Sequence, residues 1–192
     1  LVVVFLTRKM VSLESLKDMK GEESLNAYNM LGVHRSLLPV SKMKREILYC
    51  VEKNSVLIVM GETGSGKTTQ LPQFLYQAGY CKEGKMIGIT LPKRITTVST
   101  SKRVAEELTV QLGQEVGFVT RFASMYTKGI TKIKFMTDGV LLREINQDPL
   151  LTDYSAIILD DAHERTLNTD LLLGLTKKIL RKRRDLKIIV SS

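Results

Sequence analysis

The segment Gly61-Glu62-Thr63-Gly64-Ser65-Gly66-Lys67-Thr68 constrains the fold more than any other part of the 192-residue chain. It fits the P-loop pattern G-x-x-x-x-G-K-[ST] at every fixed position, and that chemistry requires a strand before the loop and a helix after it. The apolar run at 55–60 predicts a buried parallel strand, and 67–79 predicts a helix that begins within the loop. Glycines let backbone N–H groups turn inward around phosphate oxygens, and the helix N-terminus adds its positive end. In this pattern Lys67 reaches the β/γ-phosphates of a nucleoside triphosphate and Thr68 ligates Mg²⁺. A plain strand-to-helix turn would not need the Lys-Thr pair.

Around that loop the apolar pattern alternates between strand and helix. A helix is expected at 41–53, where Met43, Ile47, Leu48 and Val51 share one face behind Ser41 as an N-cap. Strands follow at 86–91, 116–121, 133–137, 156–160 and 186–191, with helices at 95–112, 139–146 and 169–183. Such alternation predicts an α/β fold with a mostly parallel sheet flanked by helices. Residues 1–38 show neither a sustained period nor a motif, are punctuated by Gly21 and Gly32, and read as an N-terminal extension of uncertain order. Residues 39–192 read as one nucleotide-binding domain.

Composition narrows the partners. The apolar runs at 1–6 and 156–159 fall far below the roughly 18–20 residues that cross a bilayer, so no membrane partner is expected. The first run is too short for a secretory signal, and the absence of an initial Met suggests a trimmed or incomplete product. Cys50 and Cys81 belong to no CxxC or Cys/His cluster, which argues against a disulfide framework and a structural zinc. A formal charge of +9 favours a polyanionic partner. The densest basic cluster, Lys177-Lys178 and Arg181-Lys182-Arg183-Arg184, has two readings: a nuclear-import or nucleic-acid patch, and the solvated end of a helix whose C-terminus favours cations, the reading preferred here.

The strand at 156–160 ends in Asp160-Asp161-Ala162-His163, where a P-loop protein needs an acid. Ligands bind at the carboxyl ends of parallel strands, which brings these carboxylates toward the bound phosphates. Asp160 is the candidate Mg²⁺ ligand, largely through water, and Asp161 the candidate for orienting or deprotonating the attacking water. The bland alternative is a surface turn that begins with two acids.

GETGSGKTTQ at 61–70, TLPKR at 90–94, TDGVLLRE at 137–144 and DDAHERT at 160–166, in that order, resemble the first RecA-like domain of the DEAH-box RNA helicases. Within that family the chain is most similar to helicases that remodel spliceosomes and related ribonucleoprotein particles. The resemblance implies that Gly61, Glu62, Thr63, Gly64, Ser65, Gly66, Lys67, Thr68 and Thr69 cradle ATP and Mg²⁺. It places Asp160 at the metal and Asp161 where the family has its catalytic Glu. Arg103 matches an Arg that stacks on the adenine; an exposed helical Arg is the competing reading. Pro92, Lys93 and Arg94, with Thr137, Asp138 and Gly139, match segments that track the RNA backbone, and His163 and Arg165 match positions that couple the nucleotide site to the rest of the machine. The implied partners are single-stranded RNA or ribonucleoprotein, a second RecA-like domain beyond Ser192 and an activator protein, in the nucleus or otherwise the cytoplasm. A P-loop kinase or GTPase would account for the first motif alone.

Three departures from the family pattern are visible. Asp-Asp-Ala-His replaces Asp-Glu-Ala-His, which retracts the carboxylate at 161 by roughly 1.3–1.5 Å. A displacement of about 1 Å costs on the order of 10²-fold in rate, so hydrolysis is expected to weaken more than ATP binding. Leu91 and Lys93 stand where the family usually has Gln and Arg, and a looser grip on RNA is expected, since Leu cannot hydrogen-bond and Lys lacks the planar fork. The chain stops at the first residue of the family's Ser-Ala-Thr motif, so by resemblance it supplies one side of an interdomain ATP cleft. The final strand is expected between the strands that carry the P-loop and Asp160.

Overall fold

The computed structural model describes residues 2–6 and 35–192; Gly21 and Gly32 lie outside the described residues. In chain order the elements are β1 (Val2–Leu6), α1 (Pro39–Lys42), α2 (Lys44–Lys53), β2 (Val56–Gly61), α3 (Lys67–Gln77), β3 (Met86–Leu91) and α4 (Arg94–Leu108). They continue as β4 (Val116–Val119), β5 (Ser124–Met125), β6 (Ile133–Thr137), α5 (Asp138–Gln147), β7 (Tyr154–Leu159), α6 (Leu167–Leu180) and β8 (Lys187–Ser191). The strands form one sheet in the order β1-β2-β8-β7-β3-β6-β4-β5. Every pairing is parallel except β4 with the two-residue β5. β8 lies between the P-loop strand β2 and the acid-bearing strand β7, as expected.

Two apolar layers cover the sheet, because successive strand side chains point to opposite faces. Ile47 and Val51 of α2, Leu71, Phe74 and Leu75 of α3 and Val104 of α4 pack with Ile87, Ile89 and Ile158. Val140, Leu141 and Ile145 of α5 and Leu172 and Ile179 of α6 pack with Met136, Ile157 and Leu159. Each fully buried aliphatic side chain contributes about 1.5–3 kcal/mol, which makes these layers the main support of the strand ends that carry the site.

Several boundaries differ from the sequence expectation for physical reasons. Pro39 starts a helix at its first turn, so Ser41 lies inside α1 and its hydroxyl donates to the Arg35 carbonyl instead of capping α2. α4 stops at Leu108, not at residue 112, because Thr109 takes φ 55° and Val110 N–H bonds the Ala105 carbonyl at 3.0 Å. That stop turns Val110 and Leu112 onto the core. Val2–Leu6, for which no period was legible, adds an edge strand parallel to β2, with Val4 and Leu6 buried.

Arg183 corrects the reading of the basic cluster. Its guanidinium is buried and donates to the carbonyls of Leu150, Leu151 and Tyr154 at 3.1, 2.6 and 3.1 Å, and it pairs with Asp185. Lys177, Lys178, Arg181, Lys182 and Arg184 are exposed, as a solvated helix end requires. Among the described residues no helix is long and apolar enough to cross a membrane.

Candidate nucleotide site and candidate RNA cleft

The phosphate loop follows β2 without a break and feeds α3 through Gly66, whose φ of 91° is the left-handed conformation that glycine adopts without strain. A Cβ there would sit 2.8 Å from Leu38 Cδ1, so the segment leading into α1 closes against the loop only because residue 66 has no side chain. Val40 N–H adds a hydrogen bond to the Ser65 carbonyl at 3.2 Å. The Lys67 ammonium is buried and donates to the carbonyls of Gly61 and Glu62 and to Ser65 Oγ, the latter two at 3.0 and 3.3 Å. Burial lowers its pKa below the ordinary lysine value, while the charges of Asp160 and Asp161 oppose the shift.

Asp160 follows β7, and its N–H donates to the Thr90 carbonyl at 3.1 Å, which fixes it beside the end of β3. Its carboxylate is buried and neither oxygen has a hydrogen-bond partner among the described residues. Buried carboxylates are normally paired, and two free oxygens suit a hard cation or its water shell. Together with the half-buried Thr68 hydroxyl on the loop, this donor set fits Mg²⁺. Asp161 has φ 51°, a left-handed turn that redirects the chain into a single 3₁₀ turn over Ala162–Glu164. Burial first, and the Asp160 charge second, raise the Asp161 carboxyl above its usual range.

The phosphate loop and Asp161 meet at one cavity of about 530 Å³, lined by residues 61–64 and 66–69 together with Arg103, Asp161 and His163, whereas the buried Asp160 does not line it. That volume is of the size that holds nucleotide-scale ligands. Arg103 stands at the cavity wall with its side chain 63% exposed, and its Nε donates to Glu107 at 3.0 Å. Ser65, within the loop, is buried and does not line the cavity. Arg165 is exposed and makes a two-toothed ion pair with Asp170 at 2.8 and 3.0 Å, away from this cavity wall.

A second cleft of about 480 Å³ opens at the ends of β3 and β6, and it gathers Pro92, Arg94, Thr137, Asp138 and Gly139 from the two segments predicted to track RNA. Lys93 does not line it; its ammonium pairs with Glu164 at 2.7 Å. Asp138 is buried and accepts from Thr169 Oγ1 at 2.6 Å, which anchors α6 to the first turn of α5. Leu91 is 1% exposed in the core, so its departure from the family pattern alters packing and not a surface that could hold RNA.

Sequence reasoning missed Arg121 and Arg143 in this cleft, and the Phe122 ring beside it. Arg94 and Arg121 stand 4.6 and 5.3 Å from the centre of that ring, which is 74% exposed. An exposed aromatic among arginines is the chemistry that stacks bases and neutralises phosphates. The legible signal was the Arg121-Phe122 pair just past an apolar strand in a basic chain.

No protein-family model matches the chain. Curated relatives do: the chain is 59% identical over 150 residues to the pre-mRNA-splicing factor ATP-dependent RNA helicase DEAH10 of Arabidopsis thaliana, an alignment covering 78% of this chain and 21% of that protein. It is 50% identical over 182 residues to the human protein named probable ATP-dependent RNA helicase DHX35, covering 93% of this chain and 26% of the relative. A Caenorhabditis elegans homologue of DHX35 is 52% identical over 169 residues, with 87% and 23% covered. The chain thus spans about a quarter of the length of the curated relatives it matches. At these identities and coverages, and with a mostly parallel sheet flanked by helices, the chain belongs, over the stretch it covers, to the DEAH-box helicase family as a RecA-like domain.

Proposed function

We propose that this domain binds Mg-ATP and couples its hydrolysis to translocation along single-stranded RNA, and so to remodelling of RNA or ribonucleoprotein, when joined to a second RecA-like domain. The observation that carries the reading is the 530 Å³ cavity in which the phosphate loop, Asp161 and Arg103 meet, beside the separate cleft formed by Pro92, Arg94 and Thr137 to Gly139. The loop N–H groups and Lys67 hold the phosphates, and Arg103 offers a flat cation to the base. Thr68 and Asp160 are the residues that would hold Mg²⁺, which when bound neutralises charge on the phosphates. Asp161 accepts the proton of the attacking water or orients it, and its raised pKa is that of a group able to take up a proton.

The cleft residues contact phosphate and sugar, so binding is expected to show little base preference. The pre-mRNA-splicing name of the Arabidopsis relative favours a ribonucleoprotein substrate and a nuclear site of action, with the cytoplasm as the alternative; an activator protein is a further proposed partner.

A second reading has one observation in its favour: Asp161 in place of Glu fits a hydrolysis-deficient scaffold that binds ATP and RNA without turnover. RNA-stimulated ATP hydrolysis separates the two. Measured with the domain joined to its second RecA-like domain, the motor reading expects turnover that Lys67→Ala abolishes; Mg-ATP and RNA binding with no turnover in that unsubstituted two-domain protein overturns it in favour of the scaffold.

A further inference from the structure

Glu107 is a buried carboxylate with one oxygen committed to each side of the nucleotide site. Its Oε1 accepts from Arg103 Nε at 3.0 Å, and its Oε2 accepts from Gln70 Nε2 at 2.8 Å and Gln73 Nε2 at 2.7 Å. Gln70 and Gln73 sit on α3, the helix that begins at Lys67, and Gln70 also donates to Thr69 Oγ1 at 3.0 Å. Arg35 closes the set from the segment before α1: it stands 3.6 Å from Oε2 and donates to the Glu107 carbonyl at 3.0 Å and to the glutamine side-chain oxygens at 3.3 and 2.5 Å. The Glu107 side chain is 1% exposed, whereas that of Arg103 is 63% exposed.

A charge at this depth is poorly explained by stability alone, since well-packed apolar groups serve buried positions as well or better. Helix propensity does not explain it either, because the order Arg then Glu at i,i+4 is the weaker orientation. What the geometry does achieve is registration. The carboxylate fixes where the Arg103 guanidinium stands relative to the helix that carries the phosphate loop, so the distance from phosphate clamp to base platform is set by one side chain.

We infer that Glu107 is a positioning residue that holds Arg103 for nucleobase recognition and ties it to the phosphate-binding helix through Gln70 and Gln73. The inference rests on the reading that Arg103 contacts the base. It assigns Glu107 a share of ATP affinity that comes from the base and none that comes from the phosphates.

The test compares affinities for Mg-ATP and Mg-tripolyphosphate in the unsubstituted protein, Arg103→Ala, Glu107→Gln and the double variant. Arg103→Ala is expected to narrow the preference for ATP by about 3- to 10-fold, the scale of one cation–π contact. Glu107→Gln is expected to narrow it similarly, with tripolyphosphate binding unchanged and the double variant no worse than Arg103→Ala. An unchanged preference in Glu107→Gln, or equal weakening toward both ligands, overturns the positioning role while leaving the base contact standing. An unchanged preference in Arg103→Ala overturns the base contact itself, and the inference with it. Should Glu107→Gln fail to fold, the Arg103 Nε–H resonance of the unsubstituted protein decides: slow exchange and a shift on Mg-ATP but not on Mg-tripolyphosphate are expected, and exchange as fast as that of free arginine overturns the inference.

Discussion

Lys93 and Glu164 form a 2.7 Å ion pair that joins the segment after β3 to the 3₁₀ turn after β7. One partner belongs to the segment matched to RNA contact and the other to the segment that carries the paired acids, so the pair links these two segments across neighbouring strands, although neither side chain lines either cleft. The hydrogen bond and charge of Glu164 raise the Lys93 pKa above its ordinary value.

Because Lys93 is exposed, breaking this pair is expected to leave Tm unchanged within the scatter of the measurement, while RNA stimulation of ATP hydrolysis falls relative to the basal rate. Lys93→Ala assayed with and without single-stranded RNA checks this. A proportional loss of both rates would mean that the pair does not connect the two sites.

Asp161→Glu restores the methylene that the family pattern has at this position. The longer side chain is expected to raise the RNA-stimulated turnover, by up to about 10²-fold if placement of the carboxylate is the limiting term. Mg-ATP affinity should change little. A steady-state ATPase assay of the two proteins side by side reads the outcome, and an equal or lower rate in Asp161→Glu counts against the retraction argument.

Arg183→Ala removes a buried guanidinium that serves three backbone carbonyls and leaves those carbonyls without a donor. A loss of about 2–4 kcal/mol in unfolding free energy is expected, against near zero for Arg184→Ala on the exposed side of the same cluster. Urea unfolding of both variants measures the contrast.

Cys81 donates its thiol to the Lys132 carbonyl at 3.3 Å, and burial pushes its pKa up to about 11. At pH 8 only about 0.1% of such a thiol is ionised, against roughly a quarter of an ordinary one, so alkylation of Cys81 in the folded protein should run at least about 100-fold slower than in urea. The sign follows from the raised value: reactivity increases as pH rises toward 11, and stability falls above about pH 8.5, where the unfolded thiol ionises first. Mass-resolved iodoacetamide labelling at several pH values tests both statements.

Local sequence determined the parts of this protein whose chemistry is local. The P-loop needs consecutive residues to curl around phosphate, so 61–68 announces its own strand, turn and helix, and the Asp160-Asp161 pair announces itself by closing an apolar strand. Period and punctuation gave the alternation of strands and helices, because a strand or helix buried in a sheet protein carries its own pattern of apolar residues. Boundaries slipped where a neighbour overrode local preference, as at Thr109, where the core drew Val110 and Leu112 inward.

Only the tertiary structure decided which side chains share an environment. Val2–Leu6 becomes a strand because β2 offers an unpaired edge, a fact absent from the five residues themselves. Arg183 is buried and Arg184 exposed, although nothing in Arg181-Lys182-Arg183-Arg184 distinguishes them, because the carbonyls that receive Arg183 lie about 30 residues earlier in the chain. Leu91 faces the core and Lys93 faces Glu164, which changes what their departures from the family pattern mean. Glu107 sits in an unremarked Ala-Glu-Glu-Leu stretch, and its role depends on partners 34, 37 and 72 residues away. Such contacts are set by packing across the sheet, where proximity owes nothing to sequence separation.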